Sequence, residues 1–297
     1  MSTRINTNIG ALNALKSLND VGDRLAVAQL RLATGKRINS AGDDAAGYSI
    51  AKKFDARVKG LGQALNNIGS AKNLIAVAEG HLNNIVDILT QMKTRATQAA
   101  DDSLGTSERN AIKKELQELA TQLDLENTQA TWNSKNIFKG TSNASSSNTD
   151  VQFQFQIAAG SSTLVDTLTF NLLDTDNVSL DSNNTAFTSA GLRVSSASID
   201  VSSAASAQVL MGRIDTAISD VSKALSYVGS VVNRLSYQES SLTVAKTNTE
   251  SARSRIEDAD MAYEQLEATK LQILQQSATA MLAQANTGPQ AILSLFK

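Results

Sequence analysis

Residues 68–99 carry the pattern that most limits the folds open to this chain. Apolar residues recur there at alternating intervals of three and four, without interruption. This average interval of 3.5 residues predicts an apolar seam along one side of a helix that packs against partner helices. The helix spans about 48 Å, so other segments must supply the facing surface. The seam consists of Ile68, Ala71, Ile75, Ala78, Leu82, Ile85, Leu89, Met92, Ala96 and Ala99.

The N-terminal segment has the same spacing. Residues 1–33 predict an amphipathic helix, although Gly10 and Gly22 each cost about 1 kcal/mol relative to alanine inside a helix. We therefore expect this helix to form only when partners bury its apolar side. Its apolar residues are Ile5, Ile9, Leu12, Leu15, Leu18, Val21, Leu25, Ala28 and Leu32.

The helical period returns near residue 206 and continues almost to the last residue. Residues 214–259 hold one long seam, and a further seam lies beyond it. Gly288 and Pro289 then predict a break before a short apolar end, Ile292 to Phe296. The further seam is formed by Leu271, Leu274, Ala278, Met281 and Ala285.

A polar turn, residues 101–106, separates the 68–99 helix from a second, shorter helix. We expect Gly105 to adopt the left-handed conformation that ends a helix, and Thr106 or Ser107 to cap the next one. So short a connection predicts an antiparallel helical hairpin. The shorter helix carries Ile112, Leu116, Leu119 and Leu123 on its apolar side.

Residues 141–200 differ in composition, because they are rich in Ser, Thr and Asn and contain neither Lys nor Glu. Two runs in this segment alternate strictly between apolar and polar residues, which predicts strands. We expect a small β-rich insert. The alternating apolar residues are Val151, Phe153, Phe155 and Ile157 in the first run, and Leu168, Phe170 and Leu172 in the second.

Residues 34–47, TGKRINSAGDDAAG, connect the N-terminal helix to the next one. Three glycines among polar residues predict a helix stop, a turned connector and a new helix start. The pattern alone also fits an ordinary polar loop. The candidate caps of the new helix are Ser40, Asp43 and Asp44.

Both ends of the chain are thus predicted to be helices, and the economical arrangement places them side by side. Ile5 and Ile9 would then meet Leu293, Leu295 and Phe296 at one end. A single pair of such helices would leave much apolar surface exposed. This favours association with other copies of the chain.

Composition excludes several classes of function. The net charge is −2 and the pI about 5.6, which gives no general attraction to nucleic acid. No apolar run is long enough to predict a membrane span. The chain has no cysteine and one histidine, His81, so thiol catalysis, a Ser-His-Asp triad and multi-histidine metal sites are excluded. We expect no enzymatic activity and no cofactor or metal, since acids such as Glu257, Asp258 and Asp260 suit helix ends better than a catalytic pair.

Four motifs, in the same order, resemble those of the bacterial flagellin family. They are MSTRINTNIGALNAL, TGKRINSAGDDAAGYSIAKKF, SRIEDADMAYE and MLAQANTGPQAILSLFK. The resemblance covers roughly residues 1–140 and 205–297. The second motif contains Arg37, Asn39, Asp43 and Asp44, and the third contains Arg255, Glu257, Asp258 and Asp260.

The resemblance implies a mainly α-helical fold, a long coiled-coil and helical-bundle rod with a small β-rich central insert. Residues 1–44 and 255–297 would be the two halves of an inner coiled-coil domain. Residues 45–140 and 205–254 would form the rod domain, and 141–204 a variable outer insert. Subunit contacts of the inner domain would come from Ile5, Ile9, Leu12, Leu18, Val21, Leu25, Leu32, Leu271, Leu274, Met281, Leu293, Leu295 and Phe296.

The resemblance also implies a function, that of a structural subunit which polymerises with its own copies into the hollow flagellar filament used for swimming. Such a subunit is secreted through the flagellar type III export apparatus without a cleavable signal. A chaperone escorts its C-terminal helices, and filament cap and hook-associated proteins complete its partners. Terminal helices weakened by glycine fit a monomer whose termini become helical only on polymerisation.

Flagellins sensed by Toll-like receptor 5 carry an arginine on the long helix and, one turn later, a leucine. The matching positions here are Gln91 and Arg95, while the family glutamate on the next helix is matched by Glu115. Loss of a bidentate donor and an apolar anchor weakens such an interface. The resemblance therefore implies only a weak receptor contact.

Two alternative functions remain open. An axial protein of the hook–filament junction type shares the terminal seams but usually lacks the full set of four motifs. A generic coiled-coil scaffold or adhesin is the third possibility.

Overall fold

The computed structural model describes residues 7–138, 153–158, 160, 166–170, 172 and 187–293. The chain is mainly α-helical with two small antiparallel strand pairs, which confirms the predicted fold class. The helices are α1 Ile9–Thr34, α2 Ala45–Ala99, α3 Thr106–Gln129, α4 Ala204–Glu257 and α5 Met261–Leu293. The strands are β1 Thr131–Trp132, β2 Lys135–Asn136, β3 Phe153–Gln156 and β4 Thr167–Phe170.

The chain divides into two compact units. The first consists of residues 1–59 and 246–297, and the second of residues 60–245. Among the described residues, no helix is both long enough and apolar enough to cross a bilayer.

The core of the second unit lies between α2, α3 and α4. All ten predicted seam residues of 68–99 are fully buried, so this prediction is confirmed at every position. In α3, Ile112, Leu116 and Leu123 are buried as predicted, while Leu119 is only partly buried and Ala120 takes the inward position. Helices α2 and α4 are antiparallel, because Lys93 of α2 bonds Asp215 of α4 at 2.6 Å while the earlier Lys72 bonds the later Glu239.

The turn between α2 and α3 differs from the prediction. Gly105 is extended, with φ −78° and ψ 173°, and occupies the N-cap position of α3, which has no side-chain cap bond. The turn is instead stabilised by Asp101, whose carboxylate accepts the Ser103 amide at 2.9 Å and whose carbonyl accepts Arg109 Nη2 at 2.9 Å. A left-handed glycine is unnecessary because these bonds already close the turn.

The predicted strand alternation is confirmed in β3 and β4, which pair antiparallel with Phe153 opposite Phe170. Val151 lies outside the described residues. Strands β1 and β2 were not predicted from the sequence, and their two-residue turn holds Asn133 and Ser134 at φ 47° and 64°. Both residues are left-handed, as a type I′ hairpin turn requires.

Residues 187–201 have no regular secondary structure but contribute to the core of the second unit. The Asp124 carboxylate of α3 anchors them, because it accepts the Ser189 amide at 2.7 Å and the Ser189 hydroxyl at 2.8 Å. The buried apolar residues of this segment are Phe187, Leu192, Val194, Ile199 and Val201.

The predicted break at Gly288 and Pro289 is wrong, since α5 continues through both residues to Leu293. A proline removes one main-chain hydrogen bond and crowds one carbonyl, and α5 accommodates this near its end. Ile5, Leu295 and Phe296 lie outside the described residues, as does their predicted contact with the other terminus.

Candidate assembly interface

Helices α1 and α5 pack against each other as an antiparallel pair. At one end Asn8 Nδ2 donates to the Ala285 carbonyl at 2.8 Å, and at the other Arg31 Nη1 lies 3.2 Å from Glu264 Oε1. Each helix turns a heptad-spaced row of buried or partly buried residues towards its partner. The α1 row is Ala11, Ala14, Leu18, Val21, Leu25, Ala28 and Leu32, and the α5 row is Glu264, Ala268, Leu271, Gln275, Ala278, Leu282 and Ala285.

The predicted seam residues fall into two groups. Leu18, Val21, Leu25, Leu32 and Leu271 belong to the paired rows. The second group is exposed and points away from the paired rows. It consists of Ile9, Leu12, Leu15, Leu274 and Met281.

The predicted α5 seam therefore needs correction. It placed Leu274 and Met281 beside Leu271, whereas the paired row of α5 runs through Gln275 and Leu282. Gln275 is polar but occupies a position of the paired row. A row traced through apolar residues alone is therefore displaced by one residue, to Leu274 and Met281. In α1 the row similarly continues through the small residues Ala14 and Ala11 rather than through Leu15 and Leu12.

Exposed apolar side chains are concentrated in the first unit. Of the sixteen large apolar residues exposed among the described residues, twelve lie in that unit. Leu266 and Ile273 of α5 are 66% and 59% exposed and lie one heptad apart. They occupy the side of α5 opposite the row that faces α1. Helix α5 is thus apolar on two opposed sides, and only one of them is covered by other described residues.

The connector after α1 docks on the junction between α4 and α5. Gly35 ends α1 in the left-handed conformation, φ 68°, and its amide bonds the Arg31 carbonyl at 2.8 Å. The Gly35 carbonyl then accepts the Ala259 amide at 2.9 Å, and the Arg37 amide donates to the Glu257 carbonyl at 2.7 Å. Residues 35–38 and 256–259, which we call the clasp, therefore join the second and third sequence motifs through main-chain bonds.

Ion pairs reinforce the clasp. Lys36 Nζ lies 2.6 Å from Glu257 Oε1, and the buried Glu257 also neighbours Arg253 Nε at 3.8 Å. Arg253 in turn bonds Asp55 of α2 at 3.0 Å. The Lys59 ammonium, and then Arg253, hold the pKa of Asp55 below its ordinary value. These contacts connect residues of α2, α4 and the connector within the first unit.

The polar residues of the connector stabilise its turn and the start of α2. The Asp43 carboxylate accepts the Ser40 and Asn39 amides at 2.8 and 3.0 Å, and these bonds hold the pKa of Asp43 below its ordinary value. Asn39 Nδ2 donates to the Lys36 carbonyl at 3.0 Å. Asp44 caps α2, since its carboxylate accepts the Gly47 amide at 2.9 Å. It was one of the three candidate caps predicted from the sequence.

The four predicted residues of the third motif differ in burial and in the contacts that they make. The exposed Asp260 caps α5, because its carboxylate accepts the Ala262 amide at 3.0 Å. Asp258 is exposed and takes part in the clasp through its main chain, and Arg255 is exposed at the end of α4. Only Glu257 of the predicted motif residues is buried.

The predicted receptor region lies in the second unit, on α2 and α3. Arg95 Nε forms an ion pair with Glu115 Oε1 at 2.7 Å, and Gln91 is exposed one turn earlier. The structure thus brings two of the three predicted residues into direct contact.

Comparison with known proteins identifies the family. The model of the bacterial flagellin N-terminal helical region matches residues 5–143, and that of the C-terminal helical region matches residues 211–296. The chain belongs to the bacterial flagellin family. A flagellin of Halalkalibacterium halodurans is 33% identical over 99% of both chains. Flagellin FlaB1 of Treponema pallidum is 31% identical, also over 99% of both.

A solved structure shares the fold of this flagellin. It is that of a flagellar hook-associated protein from Vibrio parahaemolyticus, with a TM-score of 0.57 and 16% identity, over 73% of this chain and 100% of the other. At this identity the likeness concerns the fold alone. The family models and the two relatives above are flagellins, so the hook–filament junction alternative has less support.

Proposed function

We propose that this flagellin polymerises through the outward faces of α1 and α5 to build the extracellular flagellar filament. As a member of the family it is a structural filament subunit, and the family is not one of enzymes. The observation that carries the proposal is the concentration of exposed apolar residues on this helix pair. Because α5 is apolar on two opposed sides, burial of the free side requires a second molecule.

We further propose a domain assignment for the filament subunit. Residues 1–44 and 255–297 form the inner coiled-coil domain, and residues 45–140 and 205–254 form the rod. Residues 141–204 form the outer insert. The antiparallel pairing of α1 with α5 supports the inner domain, and the three-helix core of the second unit supports the rod. The two compact units divide α2 and α4 inside the proposed rod, at residues 59–60 and 245–246, and buried residues of 187–201 belong to the same core as the rod.

The route of secretion and the partner proteins follow from the family. We propose export through the flagellar type III apparatus, with a chaperone on the C-terminal helices until release. The apolar residues Leu266, Ile273 and Met281 of α5 are suitable chaperone contacts, because they are exposed among the residues that the structure describes. Filament cap and hook-associated proteins would complete the assembly, and a contact with Toll-like receptor 5 would be weak.

A matched pair of substitutions tests the polymerisation surface. Ile273→Gln changes an apolar residue of α5 that is 59% exposed, and Val209→Gln changes one of α4 in the second unit that is 58% exposed. Since a buried isoleucine contributes roughly 1.5–3 kcal/mol, we expect Ile273→Gln to raise the critical concentration for polymerisation about tenfold. The measurement is the protein left in the supernatant after sedimentation of filaments.

The Val209→Gln variant serves as the control and should polymerise like the unchanged protein. Equal critical concentrations for Ile273→Gln and the unchanged chain would contradict the proposed surface. Electron microscopy of the pellet distinguishes a filament subunit from a junction protein. Long uniform tubes support the proposal, and short caps or rings would favour the hook-associated alternative.

A further inference from the structure

One carbonyl of α5 loses the main-chain donor that a regular helix would supply. In an α-helix the amide of each residue donates to the carbonyl four residues earlier. Pro289 is the only proline of the chain, and a proline has no amide hydrogen. Because α5 continues through residue 289 to Leu293, the carbonyl concerned is that of Ala285. A partly buried main-chain carbonyl needs a donor, so another group must replace the missing amide.

The side chain of Asn8 supplies that donor. Its Nδ2 donates to the Ala285 carbonyl at 2.8 Å, in a partly buried contact. Its Oδ1 accepts the Ala11 amide at 3.1 Å, which caps the first turn of α1. An amide requires an acceptor and a carbonyl requires a donor, so the two contacts fix the orientation of the Asn8 carboxamide. One side chain therefore caps α1 and bonds the carbonyl that Pro289 leaves without its amide.

Capping of α1 does not by itself require an asparagine. Aspartate caps a helix about as well as asparagine, because the cap uses a side-chain oxygen as acceptor. An ionised aspartate cannot donate a hydrogen bond, whereas the asparagine carboxamide both accepts and donates. The donor of Asn8 thus serves the contact with Ala285 and not the cap.

We propose that Asn8 is a positioning residue that recognises the Ala285 carbonyl released by Pro289. The contact couples the capped start of α1 to one point of α5. Carbonyls at other positions inside α5 receive the amide of their own helix, so a bond from Asn8 satisfies no missing partner there. Leaving a buried acceptor without a donor costs more than adding a second donor gains, and this difference favours Ala285.

The coupled position adjoins residues that the proposed function assigns to subunit contacts. Asn8 lines a groove together with Leu12 and Leu15 of α1 and Leu282 of α5. Leu12 and Leu15 are 55% and 43% exposed. Fixing the start of α1 on α5 therefore fixes the place of two outward apolar residues. The inference rests on the proposed function in this last step, because their place matters only if they contact another subunit.

Two substitutions separate recognition of the carbonyl from capping. Asn8→Asp keeps an acceptor for the Ala11 amide but removes the donor to Ala285. Pro289→Ala returns an amide to position 289, where it can donate to the Ala285 carbonyl within α5. The two variants, their combination and the unchanged chain form a double-mutant cycle. The measurement is the critical concentration for polymerisation, taken as the protein left in the supernatant after sedimentation of filaments.

The proposal predicts that the two substitutions are not additive. With Pro289 in place, Asn8→Asp should raise the critical concentration about tenfold, because a partly buried carbonyl loses its donor. In the Pro289→Ala chain the same change should raise it about twofold or less, since the restored amide already satisfies Ala285. Equal effects in the two chains would overturn the proposal, because positions 8 and 289 would then act independently.

Asn13→Asp is the matched control for the added charge. Asn13 is an exposed residue of α1, and the substitution is chemically the same as Asn8→Asp. Its effect on the critical concentration should be equal with and without Pro289→Ala. A dependence on Pro289→Ala as large as that of Asn8→Asp would overturn the proposal, because a general charge effect would then explain both.

Polymerisation of the unchanged chain is measured first, and its absence would count against the proposed function rather than against the role of Asn8. If Asn8→Asp abolishes polymerisation, recovery in the combined variant supports the proposal, and failure to recover overturns it. If the unchanged chain or Pro289→Ala forms no filaments, the cycle is measured by thermal unfolding of the single chain. Circular dichroism then follows the helices in trimethylamine N-oxide, which strengthens apolar burial. A smaller loss of melting temperature from Asn8→Asp in the Pro289→Ala chain supports the proposal, and equal losses overturn it.

Discussion

Arg95 of α2 forms an ion pair with Glu115 of α3, with 2.7 Å between Nε and Oε1. Glu115 is the residue that the family resemblance predicts as the glutamate of a receptor contact, and here an arginine of the same chain engages it. Arg95 also donates to Gln98 Oε1 at 3.2 Å. A receptor would have to displace Arg95 before it could use the glutamate.

Restoring the family residues should therefore strengthen receptor activation. We expect the purified monomer to activate Toll-like receptor 5 poorly, and Gln91→Arg/Arg95→Leu to lower the half-maximal concentration by about tenfold or more. The measurement is a dose–response curve in receptor reporter cells. Lys93→Gln removes a different ion pair of α2 and is the control. Strong activation by the unchanged monomer would refute the prediction.

Two glycines of α2 should respond oppositely to alanine. A Cβ at Gly69 would meet no atom within 4 Å, so Gly69→Ala should raise the free energy of unfolding by about 0.5–1 kcal/mol. A Cβ at Gly47 would overlap the Asp44 carboxylate and lie 2.7 Å from Ile38 Cδ1.

Gly47→Ala should therefore destabilise the first unit, because Asp44 would have to leave its capping position on α2. Loss of such a cap costs about 1 kcal/mol. Urea unfolding followed by circular dichroism measures both variants. Stabilisation by Gly47→Ala would show that the close packing of Asp44 and Ile38 around Gly47 does not constrain the connector.

The connector turn should depend on pH through Asp43. Hydrogen bonds from the Ser40 and Asn39 amides lower the pKa of Asp43 below 3.8. A lowered pKa in the folded state means that the stabilisation is complete above the unfolded value and is lost as the pH falls through the folded value. In a pH titration by nuclear magnetic resonance, the Ser40 and Asn39 amide shifts should change together at a pH below 3.8. Asp43→Asn should remove this transition, and a transition near or above the ordinary value would contradict the account.

Sequence patterns predict the elements whose side chains carry the periodicity. Every residue of the α2 seam could be predicted from the sequence, since large apolar residues and alanines occupy each seam position from Ile68 to Ala99. The paired row of α5 could not be predicted from the sequence, because the polar Gln275 occupies one of its positions. The apolar residues Leu274 and Met281 have the spacing of such a row but lie outside it. The start of the α1 row was not predicted either, because it runs through the small residues Ala11 and Ala14 and not through the larger Leu12 and Leu15.

The clasp was not predictable, for a different physical reason. Its bonds between Gly35, Arg37, Glu257 and Ala259 use main-chain groups, which leave no side-chain pattern in the sequence. The buried state of Glu257 and Glu264 is equally hidden, since an acidic residue usually predicts a solvated surface. The turn of β1 and β2 offered one usable signal, the residue Asn133, because asparagine tolerates the left-handed conformation.

The central claim is that the apolar side of the terminal helices that stays exposed in the single chain is buried only when subunits associate. Amide hydrogen exchange at Leu25 of α1 and Leu274 of α5, compared between monomer and filament, tests it most directly. We predict rapid exchange at both residues in the monomer and strong protection in the filament, because coupled folding orders both helices on assembly. Equal protection of Leu25 and Leu274 in monomer and filament would contradict the account.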